Sequence, residues 1–201
     1  MTTPRKIIVG ITGASGAVLG VRFLQALARL DGVESHVIVS SSGALTAAQE
    51  LGIKRSDIEA LADVAYSARD IGAAVASGSF LTAGMVVVPC SMKTLAGIAN
   101  GLADNLIGRA ADVMLKERRR LVLVARETPL NLAHLRNMAA VTEMGAIVMP
   151  PVPAFYTRPQ SVDDIVNHTV GRLLDLLGLE HAELPRRWAG LSDSLARLPE
   201  A

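Results

Sequence analysis

The sequence predicts a three-layer αβα domain of Rossmann-like type, in which helices cover both faces of a doubly wound and mostly parallel sheet. Short runs of β-branched residues alternate with longer segments of helical period, as in right-handed βαβ crossovers. Half of the residues are hydrophobic but only 3% are aromatic, which suits a sheet buried on both faces by aliphatic side chains. The 201 residues suffice for one such core, so we expect a single domain over residues 1–201.

Five strands and five helices follow from this alternation. The predicted strands cover residues 6–12, 34–40, 85–90, 121–125 and 146–149. The predicted helices cover residues 17–30, 41–51, 106–118, 130–143 and 161–177. A further helix start is predicted directly after the third strand. Ligands of such sheets bind beyond the carboxyl ends of the strands, so we expect functional residues in the loops that follow them.

The last predicted helix has the most regular pattern. Its apolar residues recur with the 3.6-residue period, Ser161 is placed to cap it, and Asp163 and Asp164 face the positive end of its dipole. The segment that follows, residues 181–201, is polar and interrupted by proline. We expect this tail to be extended or partly disordered.

Charge and composition exclude several classes of partner. The formal net charge is +1 and the one basic run, residues 116–120, is short, so no nucleic acid partner is expected. Residues 71–92 lack charge over a length that could span a bilayer, but glycines and Pro89 divide them, so no membrane association is expected. A single cysteine and an N-terminus that leads directly into a strand indicate a cytoplasmic protein without an internal disulfide.

The first candidate for chemistry is the loop at residues 10–16, with the sequence GITGASG. Glycines let the backbone approach a ligand closely, and the N–H groups at the start of the following helix can bind an anion. Ser15 adds a hydroxyl. The spacing is neither a Walker A loop nor a clean GxGxxG, so dinucleotide binding is not indicated. A tight strand-to-helix turn without a ligand explains the bare pattern equally well.

A second helix start, at residues 89–94, again follows an apolar strand. Ser91 and Thr94 could cap the helix or bind a phosphate, and Lys93 could supply charge. Two such loops at one edge of a sheet favour a phosphorylated cofactor over coincidence. Cys90 fits a buried small residue better than a nucleophile. The four histidines have no metal-ligand spacing, so no metal site is expected.

Cations follow on the next helix and strand. Arg109 and Lys116 are seven residues apart and project from one helix face, about 10 Å apart along the axis. Asp112 lies between them, and a solvated ion-pair ladder is the ordinary explanation. Arg126 and Glu127 follow the next strand at its carboxyl end. They could serve a phosphate and a proton transfer, or pair with each other.

Three further residues have two interpretations each. Tyr156 lies in a stiff, proline-rich loop, and Arg172 lies at the edge of the apolar face of the last helix. Arg172 could extend to water, or it could form a dry phosphate pocket beside the tyrosine hydroxyl. By its local pattern, Glu50 is only a surface acid.

Taken together, the chain resembles the flavin prenyltransferase family, historically described as small subunits of aromatic-acid decarboxylases. The matching segments are GITGASG at 10–16, VVVPCSMKTLAGIA at 86–99, DNLIGRAADVMLKERR at 104–119, LVLVARETPLNLAHLRNM at 121–138, GAIVMPPVPAFY at 145–156 and SVDDIVNHTVGRLLDLLG at 161–178. This agreement extends over most of the chain and is far more specific than any single loop.

The resemblance implies a flavoprotein fold and a defined reaction. The reaction is transfer of a dimethylallyl group from dimethylallyl phosphate to reduced FMN, which closes a fourth ring on the flavin without a metal ion. The prenylated FMN would pass to a partner decarboxylase of the UbiD type. Family members are typically dodecamers with pockets at subunit contacts, which suits the high apolar content.

The resemblance also implies roles for individual residues. FMN would be held by Gly13, Ala14, Ser15, Ser40, Ser91, Met92, Lys93, Thr94 and Arg126. The dimethylallyl phosphate would be surrounded by Arg109, Lys116, Tyr156 and Arg172, with Trp188 near the prenyl group. Proton movement and phosphate departure would be assisted by Ser15, Glu50 and Glu127.

Two alternatives stay open. A flavin-dependent cysteine decarboxylase would share the sheet, but residues 89–94 have the sequence PCSMKT in place of the PASANT pattern of that branch. The second alternative is a non-catalytic FMN-binding or chaperone-like subunit of a decarboxylase. Loss of Glu50, Lys116, Tyr156 or Arg172 would have favoured it, yet all four are present.

Overall fold

A computed structural model describes residues 3–181. The strands are β1 (Arg5–Ile11), β2 (Val33–Val39), β3 (Val64–Ser67), β4 (Gly84–Cys90), β5 (Arg120–Ala125) and β6 (Ile147–Val148). The helices are α1 (Ala17–Leu27), α2 (Ser41–Leu51), α3 (Arg55–Glu59), α4 (Met92–Ala99), α5 (Leu106–Lys116), α6 (Leu132–Glu143) and α7 (Val162–Leu176). Single 3₁₀ turns lie at Ala74–Ala76 and Phe155–Thr157.

The six strands form one sheet in the order β3-β2-β1-β4-β5-β6, and every pair is parallel. The chain therefore winds outward in one direction from β1 to β3 and in the other from β4 to β6. The doubly wound prediction is confirmed. In such a sheet the strand order reverses between β1 and β4, and a crevice opens beyond their carboxyl ends.

The helices form two layers, one on each face of the sheet. Alternate residues of a strand point to opposite faces, so Ile7 joins one apolar cluster and Ile8 joins the other. Residues of α1, α2, α3 and α7 belong to the first cluster, and residues of α4, α5 and α6 belong to the second. The four central strands are almost entirely buried. As a result α5 and α7 lie on opposite sides of the sheet.

Two elements were not predicted, and four of the five predicted helices are shorter than expected, α1 by the most. Helix α3 has only five residues, and β3 is a four-residue edge strand with half-buried and exposed positions. Segments this short carry too few residues for a period to be recognised. Helix α1 ends at Leu27 instead of residue 30. Residues 182–201, and with them most of the predicted tail, lie outside the described part of the chain.

The C-terminal end of α7 is fixed at the amino-terminal edge of the sheet. Arg5, at the start of β1, donates hydrogen bonds of 2.8 Å to the carbonyl oxygens of Leu177 and Gly178. Arg120, at the start of β5, donates to the carbonyl of Leu176. The last carbonyls of a helix have no partners within it, so these two guanidinium groups satisfy them and complement the helix dipole.

Candidate functional site

The loops after β1 and β4 are joined directly at the point where the strand order reverses. The backbone N–H of Thr12 donates to the carbonyl of Pro89 (3.2 Å), as does the Thr12 hydroxyl (2.8 Å). The hydroxyl also accepts from the N–H of Ser91 (2.8 Å). Thr12 is only 2% exposed, so this link is shielded from water. We call the carboxyl ends of β1, β2, β4 and β5, with the loops that follow them, the switch-point edge.

Thr12 belongs to the loop singled out from the sequence, but its role in joining two loops was not predicted. Its position was assigned to the end of a strand, where a threonine is ordinary. The available signal was a hydroxyl residue directly before the glycine-rich turn. Its partners could not be inferred, because Pro89 and Ser91 are 77 and 79 residues away in sequence.

The glycine-rich turn packs tightly against the first turn of α2. A Cβ atom on Gly13 would lie 2.4 Å from the Cβ of Ser42, a distance that real structures do not tolerate. Gly16, which precedes α1, has a φ of 104°, in the left-handed region that favours glycine. Both glycines are therefore required by the path of the loop, and Ser15 between them is exposed at the switch-point edge.

Glu50 occupies the N-terminus of α1. Its carboxylate accepts hydrogen bonds from the backbone N–H groups of Gly16 (3.0 Å) and Ala17 (2.9 Å) and from the Ser15 hydroxyl. Burial acts to raise the pKa of Glu50, but these hydrogen bonds and the charge of Arg126 outweigh it and lower the pKa. Glu50 is thus more than the surface acid that its local pattern indicates, and it is ionised at neutral pH.

Arg126 completes this cluster from the end of β5. Its N–H donates to the carbonyl of Cys90 (3.2 Å), which ties the exits of β4 and β5 together, and its charge acts on Glu50. Glu127 is exposed and accepts from the N–H of Thr128 (3.0 Å). The alternative in which Arg126 and Glu127 pair with each other is not among the described contacts. The structure therefore brings together Ser15, Glu50 and Arg126.

The starts of α2 and α4 lie at the same edge. The Ser40 hydroxyl caps α2 by accepting from the N–H of Gly43 (2.9 Å). The Ser91 hydroxyl caps α4 by accepting from the N–H of Thr94 (3.3 Å), and the two hydroxyl oxygens are 3.1 Å apart. Met92 is half-buried and Lys93 is exposed. Helix N-termini with adjacent hydroxyl groups can bind an anion.

The α5 cations lie elsewhere. Arg109 donates to the carbonyl of Ala76 (3.1 Å) and pairs with Asp112 (2.7 Å), so the expected ion pair within the helix is present. Lys116 pairs with Glu117 at the end of the helix. That end precedes β5 by a few residues and is therefore near the amino-terminal edge of the sheet.

Arg172 lies on α7 and Tyr156 lies beside that helix, on the opposite side of the sheet from α5. The Tyr156 hydroxyl is 3.3 Å from Nε2 of His168, and Arg172 donates to Asp175 (3.2 Å). The four residues expected around one phosphate are therefore not brought together by a single chain. Trp188, expected near the same ligand, lies outside the described residues.

Cys90 is buried, and burial raises the pKa of its thiol to about 12, as expected for an inert core residue. Within residues 3–181, histidine, cysteine and acidic side chains form no group that could hold a metal ion. Over the same residues, no helix has the length and apolar character needed to cross a membrane.

Comparison with known proteins assigns the family. The protein family described as Flavoprotein matches residues 1–174. A probable UbiX-like flavin prenyltransferase from Streptomyces sp. (strain D7) is 55% identical over 186 residues, which are 92% of each chain. The flavin prenyltransferase UbiX of Escherichia coli (strain K12) is 53% identical over 187 residues, 92% of this chain and 99% of that protein. This chain belongs to the flavin prenyltransferase family.

Solved structures agree with this assignment. AnUbiX (PadA1), solved in complex with FMN and dimethylallyl pyrophosphate, is 52% identical, with a TM-score of 0.90 over 93% of this chain and 98% of that one. A dodecameric FMN-dependent UbiX-like decarboxylase from Escherichia coli O157:H7 is 55% identical, with a TM-score of 0.89 over 92% of this chain and all of that one. The cysteine decarboxylase TvaF is only 18% identical, with a TM-score of 0.59, and shares the fold alone.

Proposed function

We propose that this chain transfers a dimethylallyl group from dimethylallyl phosphate to reduced FMN. The observation that carries the proposal is the cluster of Ser15, Glu50 and Arg126 at the switch-point edge of a chain that is over 50% identical to flavin prenyltransferases. We further propose a cytoplasmic location and a decarboxylase of the UbiD type as the recipient of the product.

The switch-point edge has the chemistry that FMN requires. The turn at Gly13 admits a close ligand, the starts of α2 and α4 offer N–H groups and hydroxyls to a phosphate, and Arg126 offers an exposed cation. The residues that would hold FMN are Gly13, Ala14, Ser15, Ser40, Ser91, Met92, Lys93, Thr94 and Arg126. When bound, the reduced flavin supplies the nucleophile that accepts the prenyl group.

Ser15 and Glu50 are arranged to move a proton. The ionised Glu50 carboxylate accepts the hydrogen bond of the Ser15 hydroxyl, so a proton lost at a ligand atom near Ser15 can pass through Ser15 Oγ to the carboxylate. The backbone N–H groups of Gly16 and Ala17 hold the carboxylate in place. We propose Glu127 as a secondary participant, since it is exposed at the same edge.

The prenyl phosphate requires cations, because an allylic carbon–oxygen bond ionises more easily when the leaving phosphate is stabilised and water is excluded. We call Arg109, Lys116 and Arg172 the donor cations, and we propose that they bind this phosphate together with the Tyr156 hydroxyl. Trp188 would contact the prenyl group.

One chain keeps the donor cations in two layers, so we propose that neighbouring chains complete the site. Arg109 and Lys116 lie on α5 and Arg172 lies on α7, across the sheet from each other. A homo-oligomer, such as the dodecamer of the relative from Escherichia coli O157:H7, would bring α5 of one chain to α7 and the switch-point edge of others. Several large apolar side chains are exposed and available for such contacts, among them Leu102, Leu132, Val152 and Phe155.

An anaerobic assay tests this function. Purified protein is incubated with reduced FMN and either dimethylallyl phosphate or dimethylallyl pyrophosphate, and the flavin is analysed by mass spectrometry. The proposal predicts a flavin heavier by one prenyl unit with at least one of the two compounds. Flavin of unchanged mass, with FMN binding intact, would instead favour a non-catalytic FMN-binding subunit.

A further inference from the structure

His168 lies between Tyr156 and Arg172 in sequence and contacts the Tyr156 side chain. It lies on α7 one turn before Arg172, and its Nε2 atom is 3.3 Å from the hydroxyl oxygen of Tyr156. The two rings pack edge to face, with centroids 5.9 Å apart and an interplanar angle of 86°. Both the hydrogen-bond distance and the ring packing therefore connect the helix to the loop that carries Tyr156.

We infer that His168 is a positioning residue for the prenyl phosphate. In this inference the Nε2–H of His168 donates to the Tyr156 oxygen, and the Tyr156 hydroxyl donates its own proton to the phosphate. The inference rests on the proposed function, in which Tyr156 and Arg172 bind the phosphate of the dimethylallyl compound.

The direction of the hydrogen bond follows from what each group can do. A phosphate oxygen only accepts, so the tyrosine hydroxyl must donate its one proton to the ligand. The same oxygen can then only accept from the imidazole, which places the imidazole proton on Nε2. In the other tautomer the tyrosine would donate to His168 and would have no proton for the ligand.

The segment that carries Tyr156 is exposed. Tyr156 lies in the 3₁₀ turn Phe155–Thr157 and is 54% exposed. The Thr157 hydroxyl donates to the carbonyl of Ala154 (2.7 Å), which stabilises the backbone of this turn, and His168 contacts the phenol ring from α7. Helix α7 is packed against α1, so a side chain on α7 is a rigid point from which to orient the ring.

The surroundings of His168 keep it in the required form. Burial and the nearby Arg172 guanidinium lower the pKa of His168, against the opposing charge of Asp175. The imidazole is therefore neutral at neutral pH and carries one proton. Arg172, which is paired with Asp175, lies on the same helix face one turn further on, so it and the Tyr156 hydroxyl can address one phosphate.

The test is a double-mutant cycle in the prenylation assay, with KM for dimethylallyl phosphate and kcat measured separately. H168M removes the N–H donor at similar volume, and H168Q supplies an amide N–H. We expect H168M and Y156F each to raise KM about three- to tenfold, as for loss of one hydrogen bond, with little change in kcat. H168Q should recover most of the affinity, and H168M should add nothing in the Y156F background.

The outcomes separate this inference from the proposed function. If the unmodified chain forms no prenylated flavin, the proposed function fails and the inference fails with it. If Y156F raises KM but H168M does not, or if the two effects multiply in the double variant, only the inference fails. Circular dichroism and thermal melting of each variant ensure that a change in KM is compared among folded proteins.

Discussion

The switch-point edge and the donor cations differ in how a single chain assembles them. At the switch-point edge, hydrogen bonds between distant segments bring Ser15, Glu50 and Arg126 into one cluster. The donor cations instead pair with acidic residues close by on the chain, and they lie in two different layers. The fold alone therefore explains the flavin side of the proposed site, whereas we propose that the prenyl phosphate side depends on contacts between chains.

The local ion pairs of the donor cations have a consequence for binding. A solvent-exposed pair contributes little to stability, so a phosphate can replace the carboxylate partner at small cost. The contacts of Glu50 are different, because two backbone N–H groups at a helix start hold its carboxylate. We therefore expect substitution of Glu50 to affect the chemical step and substitutions of the donor cations to affect the affinity for the prenyl compound.

The largest expected effect is at Glu50. E50Q removes the charge that accepts the Ser15 proton, and we expect kcat to fall by about 100-fold or more, as for loss of a general base. The dissociation constant for FMN should change far less, since the amide can still accept the two backbone hydrogen bonds. E143Q, on the exposed end of α6, is the matched control. Equal losses in FMN affinity and kcat would contradict the proton-transfer role.

The next effect is at Arg172. R172A removes a charged hydrogen-bond donor from the phosphate, and we expect KM for the prenyl compound to rise by about ten- to 100-fold, as for hydrogen bonds to charged groups. FMN affinity, measured by fluorescence titration, should remain unchanged. R136A removes an exposed arginine from α6 and serves as control. Weaker FMN binding in R172A, but not in R136A, would show that the two regions are not separate.

A substitution at Gly13 tests the switch-point edge through its packing. In G13A the new methyl would lie 2.4 Å from the Cβ of Ser42, so the turn or α2 must shift. We expect the free energy of unfolding to fall by about 1 to 3 kcal/mol, as for overpacking, together with weaker FMN binding. In the control G97A the nearest heavy atom is 3.6 Å away, and stability should be kept or increased. If G13A and G97A have similar free energies of unfolding and similar FMN affinities, the turn at Gly13 does not need to pack closely against α2.

A pH effect is expected away from both regions, on β2 next to the edge strand β3. Burial lowers the pKa of His36, against the opposing effect of Glu34, so the folded chain binds this proton less readily than the unfolded chain. Its contribution to stability is complete above about pH 6.5, the usual histidine pKa, and is lost as pH falls from there through the lowered pKa. Chemical denaturation from pH 8 to pH 5 should show this loss as a fall in the free energy of unfolding, and the fall should be smaller in H36Q. If the free energy of unfolding of H36Q falls as steeply with pH as that of the unmodified chain, the effect does not come from His36.

The sequence predicted the parts of the molecule that depend on local pattern. Helix α2 has the predicted bounds, and β1 and β2 differ from prediction by one residue at each end. The turn at Gly13 was predicted because the path of the backbone within this short segment is enough to explain its glycines. The contact of Glu50 with Gly16 spans 34 residues, and the link from Thr12 to Pro89 spans 77, so neither has a local signal. Likewise, the layer that carries α5 or α7 depends on strand order, which no single segment encodes.

The central claim is that one site uses residues of more than one chain, and mixed oligomers test it most directly. E50Q chains and R109A/K116A chains, with different affinity tags, are co-expressed, and oligomers that contain both are isolated. If a site combines α5 of one chain with the switch-point edge of another, some sites in the mixed oligomers contain only wild-type residues. Half of the chains carry Glu50, the other half carry Arg109 and Lys116, and a complete site needs one chain of each kind in the correct position. Formation of prenylated flavin should then return to about a quarter of the unmodified rate. Activity no greater than that of the two variants measured separately would contradict the account.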